Sequence, residues 1–510
     1  MTERLPEEFQ YGGPNPTTRD LAKLKADART SLALFYFKVL AYANDSVGEG
    51  YDGIRHGLAT FDEEAHNIRA SWMWAREHSS IAAWAAEFCR SCTLAIAYIA
   101  ERRLPPREWL LWLEATVTAC RQSGDRRGEA SALGRMGNAY FALGDFHQAV
   151  HHQQQHLAIA RETGDRDGEG MALGNLGNAH YAFGDAHKAI EFHMESLAIA
   201  RESQNRREEG VTLGNLGLCY FFLGDARKAI EFQQQSLAIA CAIGDRFGEG
   251  GCLTNLANAH HALGDFRKAI DLHQEHLLIA REIGDRQREA IAYGDMGLAH
   301  LALGEFRKAT ENHRQHLAIA REIGNRSGQA NALTNLGNVY YSLGDARKAA
   351  ELHEQAFVIV REIGDRRGEA SILNDLGLAH FALGDAQKAL RCHEQSLVIA
   401  KQVGLRRVEA LALGNLGLDH RVLGDDCRAV DLFQQYLALA REIGDPLGVG
   451  IASFNMAENF MQLGRGDEAL DTPNTPSRSS SPWRPPTPNR FVKLSPNGEV
   501  DPEIRLSNST

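Results

Sequence analysis

Residues 164–203 have the sequence GDRDGEGMALGNLGNAHYAFGDAHKAIEFHMESLAIARES, and a segment close to it recurs every forty residues. The clearest marker of this period is one glycine, which recurs at Gly144, Gly184, Gly224, Gly264, Gly304, Gly344, Gly384, Gly424 and Gly464. An acidic residue follows each of the first eight, whereas Arg465 follows the last. A fixed period of this length is the signature of a repeat array, in which each unit stacks on the next.

Each forty-residue unit carries two apolar stripes with the period of an α-helix. The first stripe consists of Leu173, Leu176, Gly177, His180 and Phe183. The second consists of Ala189, Ile190, His193, Leu197 and Ala200. Between them, Gly184 can adopt the left-handed conformation that ends a helix, and Asp185 can cap the free amides of the next one. We predict that Asp165 caps the first helix in the same way, so that each unit is a pair of antiparallel helices.

One motif of this unit has a family resemblance. The run Asn175-Leu176-Gly177-Asn178-Ala179-His180, followed by Gly184-Asp185 and Ala189-Ile190, resembles the tetratricopeptide (TPR) repeat. The unit departs from that repeat in three ways: Leu173 replaces the usual tryptophan, the terminal proline is absent, and the usual length is about thirty-four residues. The forty-residue variety is similar to the repeats of Pins-type adaptors and of bacterial multi-repeat regulators. Over residues 126–463 the resemblance implies an all-α fold, a right-handed α-solenoid of helix–turn–helix repeats.

The composition limits the function classes that are open to the chain. A net charge of −11 and a pI near 6.0 argue against a general binder of nucleic acid or of anionic membranes. No apolar run reaches the ~18 residues of a membrane span, and the polar N-terminus does not resemble a signal peptide. We therefore expect a cytoplasmic protein whose eight cysteines are reduced thiols. The oligomeric state is left open.

The order of segments predicts five regions. Residues 1–16 are expected to be disordered, 17–80 to form an N-terminal helical segment, and 81–125 to form a degenerate repeat that caps the array. Residues 126–470 are the repeat array, with eight full repeats and a truncated ninth, and no proline occurs between Pro106 and Pro446. Residues 471–510 are rich in proline, serine and threonine, which predicts a disordered tail or a disrupted reading frame.

The N-terminal segment has a resemblance of its own. The run Phe61-Asp62-Glu63-Glu64-Ala65-His66-Asn67-Ile68-Arg69-Ala70, followed by Trp72 and Trp74-Ala75, looks like the segment that joins the ATPase portion to the TPR array in bacterial STAND signalling ATPases. Such proteins carry a nucleotide-binding module upstream, yet this sequence contains no phosphate-binding G-x-x-x-x-G-K-[ST] motif. The resemblance therefore implies a sensor arm without the nucleotide-binding module.

Asparagines recur at two positions of the first helix, three residues apart and thus adjacent on the helix surface. They are Asn175, Asn178, Asn215, Asn255, Asn258, Asn335, Asn338, Asn415 and Asn455. An asparagine side chain offers a donor and an acceptor and can pair with a peptide bond. The hypothesis is that this asparagine ladder binds the backbone of an extended partner segment, as the resemblance to Pins-type adaptors also implies. The alternative is that the asparagines stabilise neighbouring repeats or persist from duplication.

Two other periodic columns are better explained by structure than by ligands. One arginine per repeat, with a glutamate three residues later in most repeats, favours a lattice of ion pairs over contacts with an acidic partner. The many histidines fall mostly at positions of the apolar seam, which favours packing over metal binding. Cys89 and Cys92 form a C-x-x-C motif without a second pair, so a zinc or redox role is not expected. No catalytic residue, metal site or cofactor is predicted.

The sequence thus predicts a non-catalytic interaction scaffold whose partner is a protein segment. The alternative from another class is the sensor or regulatory arm of a STAND-type ATPase whose nucleotide-binding module is absent from this chain. A third possibility, a decaying duplicate array without a ligand, also stays open.

Overall fold

The computed structural model describes residues 51–78 and 97–465, together with the single residues 31, 32, 35, 36, 38, 89 and 93. The predictions for residues 1–16 and 471–510, and for the second helix of the ninth repeat, lie outside these residues. Every secondary-structure element in the described residues is a helix. The predicted all-α fold of stacked helix pairs is therefore confirmed.

The chain divides into two compact units, Met1–Asp245 and Arg246–Thr510. In the first unit, the described helices are α1 (Tyr51–His78), α2 (Ala97–Arg103), α3 (Pro106–Ser123), α4 (Arg126–Ala142), α5 (Phe146–Thr163), α6 (Arg166–Ala182), α7 (Ala186–Glu202), α8 (Arg206–Phe222) and α9 (Ala226–Ile243). Within this unit, each helix packs against the helices before and after it in the chain.

The second unit continues the same pattern of helix pairs. Its described helices are α10 (Arg246–Ala262), α11 (Phe266–Glu282), α12 (Arg286–Ala302), α13 (Phe306–Glu322), α14 (Arg326–Ser342), α15 (Ala346–Glu362), α16 (Arg366–Ala382), α17 (Ala386–Val403), α18 (Arg406–Val422), α19 (Asp426–Glu442) and α20 (Pro446–Gln462). Even-numbered helices from α4 onward are the first helices of the repeats, and odd-numbered helices from α5 onward are the second helices. No helix in the described ranges combines the length and hydrophobicity that a membrane span requires.

The turns between the helices have the predicted chemistry. Gly184 lies at φ +85°, in the left-handed region, and closes α6. The Asp185 carboxylate accepts a hydrogen bond from the Lys188 amide at 3.1 Å, and the Asp165 carboxylate accepts one from the Gly168 amide at 3.0 Å. These caps satisfy amides that have no partner inside the helix, so these two turns are specified by residues adjacent in sequence.

The N-terminal helix α1 covers the start of the array. Its buried residues Phe61, Ile68 and Trp72 share one apolar cluster with residues of α3 and α4. The indoles of Trp72 and Trp112 stack with their centroids 4.4 Å apart and their planes 2° from parallel. The helix begins at Tyr51 and ends at His78, within the 17–80 segment that the sequence predicts to be helical. The apolar face of the first repeat is thereby removed from water, which is the function of a cap in a repeat array.

The seam of each repeat pairs a small residue on the first helix with a large side chain on the second. Gly177 faces His193, Gly297 faces His313, and the other pairs are Gly137–Gln153, Gly217–Gln233, Gly337–His353, Gly377–His393 and Gly417–Phe433. A Cβ atom added at any of these glycines would lie under 3.0 Å from the opposing side chain. The close approach of the two helices therefore depends on the absence of a side chain at the glycine.

We expect that Gly417→Ala lowers the free energy of unfolding by about 1–3 kcal/mol, because it overpacks the seam. The added methyl would lie 2.4 Å from Cε1 of Phe433, a ring with no exposed surface. Gly251→Ala is the matched control, since a methyl there has no atom within 4 Å and replaces a helical glycine at a gain of up to ~1 kcal/mol. Urea unfolding followed by circular dichroism measures both. An unchanged midpoint for Gly417→Ala would contradict this account of the seam.

Candidate functional site

The first helices of successive repeats contact each other and so form a continuous face within each unit. In the first unit, α4 contacts α6 and α6 contacts α8; in the second, the series runs from α12 through α14, α16 and α18 to α20. All nine asparagines of the predicted ladder lie on first helices. Their side chains are half-buried, except for that of Asn258, which is exposed. Neighbouring helix axes are about 8–10 Å apart, which sets the spacing of these polar side chains.

The structure divides the ladder into two groups. Asn215 Nδ2 donates a hydrogen bond to Asn178 Oδ1 at 3.1 Å, which joins α8 to α6. Asn415 Nδ2 donates one to Asn374 Oδ1 at 2.9 Å, which joins α18 to α16. These four asparagines link neighbouring repeats, as the alternative interpretation of the column predicts.

The second group of asparagines has no such internal role. The side chains of six members form no hydrogen bond with another described residue: Asn175, Asn255, Asn258, Asn335, Asn338 and Asn455. An amide in this state presents one acceptor and two donor hydrogens to whatever contacts the face. This group, rather than the whole column, is the part of the ladder that is available for a ligand.

The arginine column forms the predicted lattice of ion pairs. Arg166 at the start of α6 contacts Glu169 at 2.6 Å, and Arg161 from the end of α5 contacts the same carboxylate at 2.8 Å. Arg166 also pairs with Glu202 at the end of α7. Hydrogen bonds with Glu202 and Glu169 raise the pKa of the Arg166 guanidinium above its usual value. The same pattern recurs at Arg126, Arg246, Arg286 and Arg406. These arginines are structural, and the interpretation as an ion-pair lattice is confirmed.

The histidines of the second helices are packing residues. His193, His273, His313 and His353 are at most 2% exposed, and burial lowers the pKa of each to about 4. They are therefore neutral at physiological pH. Among the described residues, no three His, Cys, Asp or Glu side chains come together as a metal site would require. Cys89 is buried, and burial raises the pKa of its thiol to about 12, while Cys92 lies outside the described residues.

One buried pair is not predicted by the sequence pattern. His393 on α17 and Asp419 on α18 are 1% and 0% exposed, and Nδ1 of the imidazole lies 2.6 Å from Oδ2 of the carboxylate. The signal was present, because Asp419 stands where other repeats have small residues such as Ala379 and Ala299. The pair joins the seventh repeat to the eighth within the second unit.

Two pockets open on the first-helix face of the second unit. The α10–α12 pocket has a volume of about 470 Å³ and is lined by residues that include Phe247, Asn255 and Arg288. The α12–α14 pocket has a volume of about 530 Å³ and is lined by residues that include Asp295, Asn331 and Asn335. Residues at ladder positions therefore line both pockets. Each pocket lies between the first helices of two consecutive repeats.

Two positions of the ladder carry aspartate in place of asparagine. They are Asp295 on α12 and Asp375 on α16. Both carboxyl groups are half-buried, and burial raises the pKa of each to about 6. They add negative charge to a face that otherwise presents neutral amides.

Comparison with known families identifies the repeat. The model of the tetratricopeptide repeat family matches residues 128–202, 168–242, 251–322, 296–362, 328–402 and 368–442, which together make up more than half of the chain. A search of curated proteins finds no match.

Two solved structures illustrate what the chain is similar to. One is a signal transduction ATPase with numerous domains (STAND) from Pyrococcus horikoshii that has a tetratricopeptide repeat sensor, with 16% identity over 75% of this chain and a TM-score of 0.51. This chain covers 54% of that protein, or about half of its length. Another is the apo form of the quorum sensor NprR from B. thuringiensis, with 15% identity, a TM-score of 0.46 and coverage of 65% of this chain and 96% of that one.

Proposed function

Because this chain belongs to the tetratricopeptide repeat family, we propose that it is a non-catalytic interaction scaffold that binds an extended segment of a partner protein on its first-helix face. The observation that carries the proposal is the group of half-buried and exposed asparagine amides without internal partners. These amides are not among the buried side-chain groups without a partner, so water can reach them in the free chain. A bound peptide would replace this water with its own donors and acceptors.

The spacing of the repeats suits an extended peptide. An extended chain advances about 3.3 Å per residue, so a rung every 8–10 Å would meet about every third residue of the partner. Each asparagine that contacts the peptide backbone adds to the affinity, whereas specificity depends on the peptide side chains that enter the pockets. This argument applies to the row of asparagines in each unit separately.

The test uses the chain as bait in extracts of the source cells. It compares a triple variant, Asn255→Ala, Asn335→Ala and Asn338→Ala, with the unchanged chain. We expect the triple variant to lose a specific partner at least tenfold, because each lost amide leaves a peptide group without its hydrogen bond. The matched control replaces three exposed glutamines of second helices, Gln315, Gln355 and Gln435, with alanine and should retain the partner. Equal capture by all three baits, with unchanged helical content, would exclude the asparagines as the binding residues.

A second function is favoured by the N-terminal segment. Helix α1 carries the run that resembles the connector of STAND signalling ATPases, and its Trp72 packs on Trp112 of α3. A chain of this architecture can act as the sensor arm of a nucleotide-binding protein. Mass spectrometry of the captured partners distinguishes the two functions. If the asparagine triple variant still captures an ATPase with a phosphate-binding loop, the sensor-arm function is favoured. If repeated captures contain no such ATPase, the sensor-arm function is excluded.

A further inference from the structure

We propose that the α12–α14 pocket receives a cationic side chain, an arginine in preference to a lysine, from the segment that the chain binds. The inference rests on the proposed function and assigns chemistry to one position of the bound segment. Its basis is the lining of the pocket, a buried histidine at its floor, and a neighbouring pocket that already contains a guanidinium.

The lining of the α12–α14 pocket is rich in acceptors. It includes the Asp295 carboxylate and the side-chain amides of Gln287, Asn331 and Asn335, and no lysine or arginine is among the described residues that line it. Asp295 forms no hydrogen bond or ion pair with another described residue. Burial alone raises the pKa of this carboxyl group to about 6. A cation placed beside it would relieve the cost of desolvating the carboxylate.

The floor of the pocket contains an unpartnered polar group. His316 on α13 is 9% exposed, and its Nδ1 has no hydrogen-bond partner among the described residues. The pocket reaches this ring because Gly294 lies above it, where a Cβ atom would come within 2.9 Å of Nδ1. Burial lowers the pKa of His316, so the ring is neutral and can accept a hydrogen bond without repelling a cation.

The chain itself places a guanidinium in the wall of the preceding pocket. Cζ of Arg288 lies 3.6 Å from the ring centroid of Phe247, and its Nε lies 3.3 Å from Asp285 Oδ2. Arg288 Nη1 also donates to the Phe247 carbonyl at 3.4 Å. The α10–α12 pocket therefore accepts an arginine side chain by stacking and ion pairing.

The corresponding position of the next repeat supplies no guanidinium to its pocket. Forty residues after Arg288 stands Gly328, which lines the α12–α14 pocket. Over the same interval Asn255 becomes Asp295. One repeat thus lines its pocket with a guanidinium and the Asp285 carboxylate, which pair with each other, whereas the next has Gly328 and Asn325 in their places and one carboxylate, Asp295, without a cation. A guanidinium from outside matches this exchange in both size and charge.

Arginine is favoured over lysine by the number and arrangement of acceptors. A guanidinium can donate two parallel hydrogen bonds to one carboxylate and still has N–H groups for the amide oxygens and the imidazole. An ammonium group is a compact charge with three donors and would leave more of the acceptors without partners. An anionic residue would place its charge beside Asp295 and should be rejected.

The experiment uses a phage-displayed library of random twelve-residue peptides that is selected on the full chain. We expect the selected peptides to share one arginine, and replacing it with citrulline, which is uncharged but of the same shape, should weaken binding at least tenfold. Asp295→Asn should weaken binding of the arginine peptide to the same extent and leave binding of the citrulline peptide unchanged. Asparagine is the residue that this chain has at positions 255 and 335, so the variant is expected to fold.

A second variant tests the pocket from the other side. Gly328→Arg places in the α12–α14 pocket the side chain that occupies the preceding one, and it should weaken the arginine peptide at least tenfold by competing for Asp295. Selected peptides that depend on Asn255 and Asn335 but bind equally with citrulline would overturn the pocket assignment and leave the proposed function intact. A failure to select any peptide on the unchanged chain would overturn both.

Discussion

Acidification from about pH 8 to about pH 5 should lower the free energy of unfolding of the second unit by about 6 kcal/mol through three buried histidines, a loss that Asp295 and Asp375 partly offset because burial raises the pKa of each to about 6. His273, His313 and His353 lie buried in this unit with a pKa of about 4 in the folded state. On unfolding, the pKa of each histidine returns to about 6.5. Between these two pKa values the unfolded state binds more protons than the folded state. The stability that the neutral histidines contribute is therefore complete above pH 6.5 and is lost as the pH falls towards 4. Each histidine contributes about 2 kcal/mol of this loss at pH 5.

The surroundings of the three rings account for the direction of the shift. Burial is the main cause for each, and His273 is further destabilised as a cation by His276 and His261, as His313 is by His316. No carboxylate contributes to the pKa of these rings. A proton that binds any of them has no counter-charge in the seam, so protonation favours the unfolded state.

Urea unfolding of the full chain at a series of pH values, followed by circular dichroism, measures the effect. The control variant replaces His273, His313 and His353 with glutamine, the residue that Gln153 and Gln233 place at the same position of other repeats. Gln233 is buried and donates a hydrogen bond to the Gly214 carbonyl at 2.8 Å, so glutamine is accommodated in this seam. We expect the variant to lose most of the pH dependence. An identical slope in both proteins would assign the acid sensitivity to other groups.

His393→Phe should lower the free energy of unfolding by about 3–5 kcal/mol, because it leaves the Asp419 carboxylate buried without its partner. The imidazole Nδ1 and the carboxylate Oδ2 are 2.6 Å apart, and both side chains are almost fully inaccessible to solvent. Steric misfit is not the expected cause, since Phe433 occupies the same position of the next repeat opposite Gly417. The cost therefore arises from the unpaired charge.

Two further variants separate these causes. His353→Phe makes the same change in the preceding repeat, where Ala379 stands in place of the aspartate, and it should cost less than about 1.5 kcal/mol. The double variant His393→Phe, Asp419→Ala should recover most of the stability that the single variant loses, because no charge is left in the seam. Urea unfolding at neutral pH of these variants, together with Asp419→Ala alone as the remaining single variant, completes the double-mutant cycle. Additive losses in the double variant would show that the pair is not coupled.

Much of the fold could be predicted from the sequence because its determinants are local. The helix pairs follow from apolar residues three and four positions apart, and the turns follow from a glycine with positive φ and a capping acid. The ion-pair lattice was also predictable, since Arg166 and Glu169 are three residues apart on one helix. The resemblance of residues 175–190 to the TPR motif led to the same architecture.

The division of the asparagine ladder was not predictable in this way. The sequence presents Asn175, Asn178 and Asn215 as equivalent members of a periodic column. Only the packing of α6 against α8 brings Asn178 and Asn215 within hydrogen-bond distance, so that one pair serves the fold while Asn175 keeps a free amide. Which amides meet depends on how the two helices pack, and periodicity carries no information about it.

The sequence by itself determined the family, the helix pairs, their caps and the polar character of one face, because each depends on residues close together in the chain. The tertiary structure alone decided which asparagines pair across repeats, that His393 meets Asp419, and that Arg288 fills one pocket while Gly328 leaves the next one open. These contacts join residues that are between 26 and 41 positions apart, such as the His393–Asp419 pair, the Asn374–Asn415 pair and the bond of Arg288 to the Phe247 carbonyl. The physical reason is that such distances are set by how neighbouring repeats pack, and packing depends on every side chain in the interface at once.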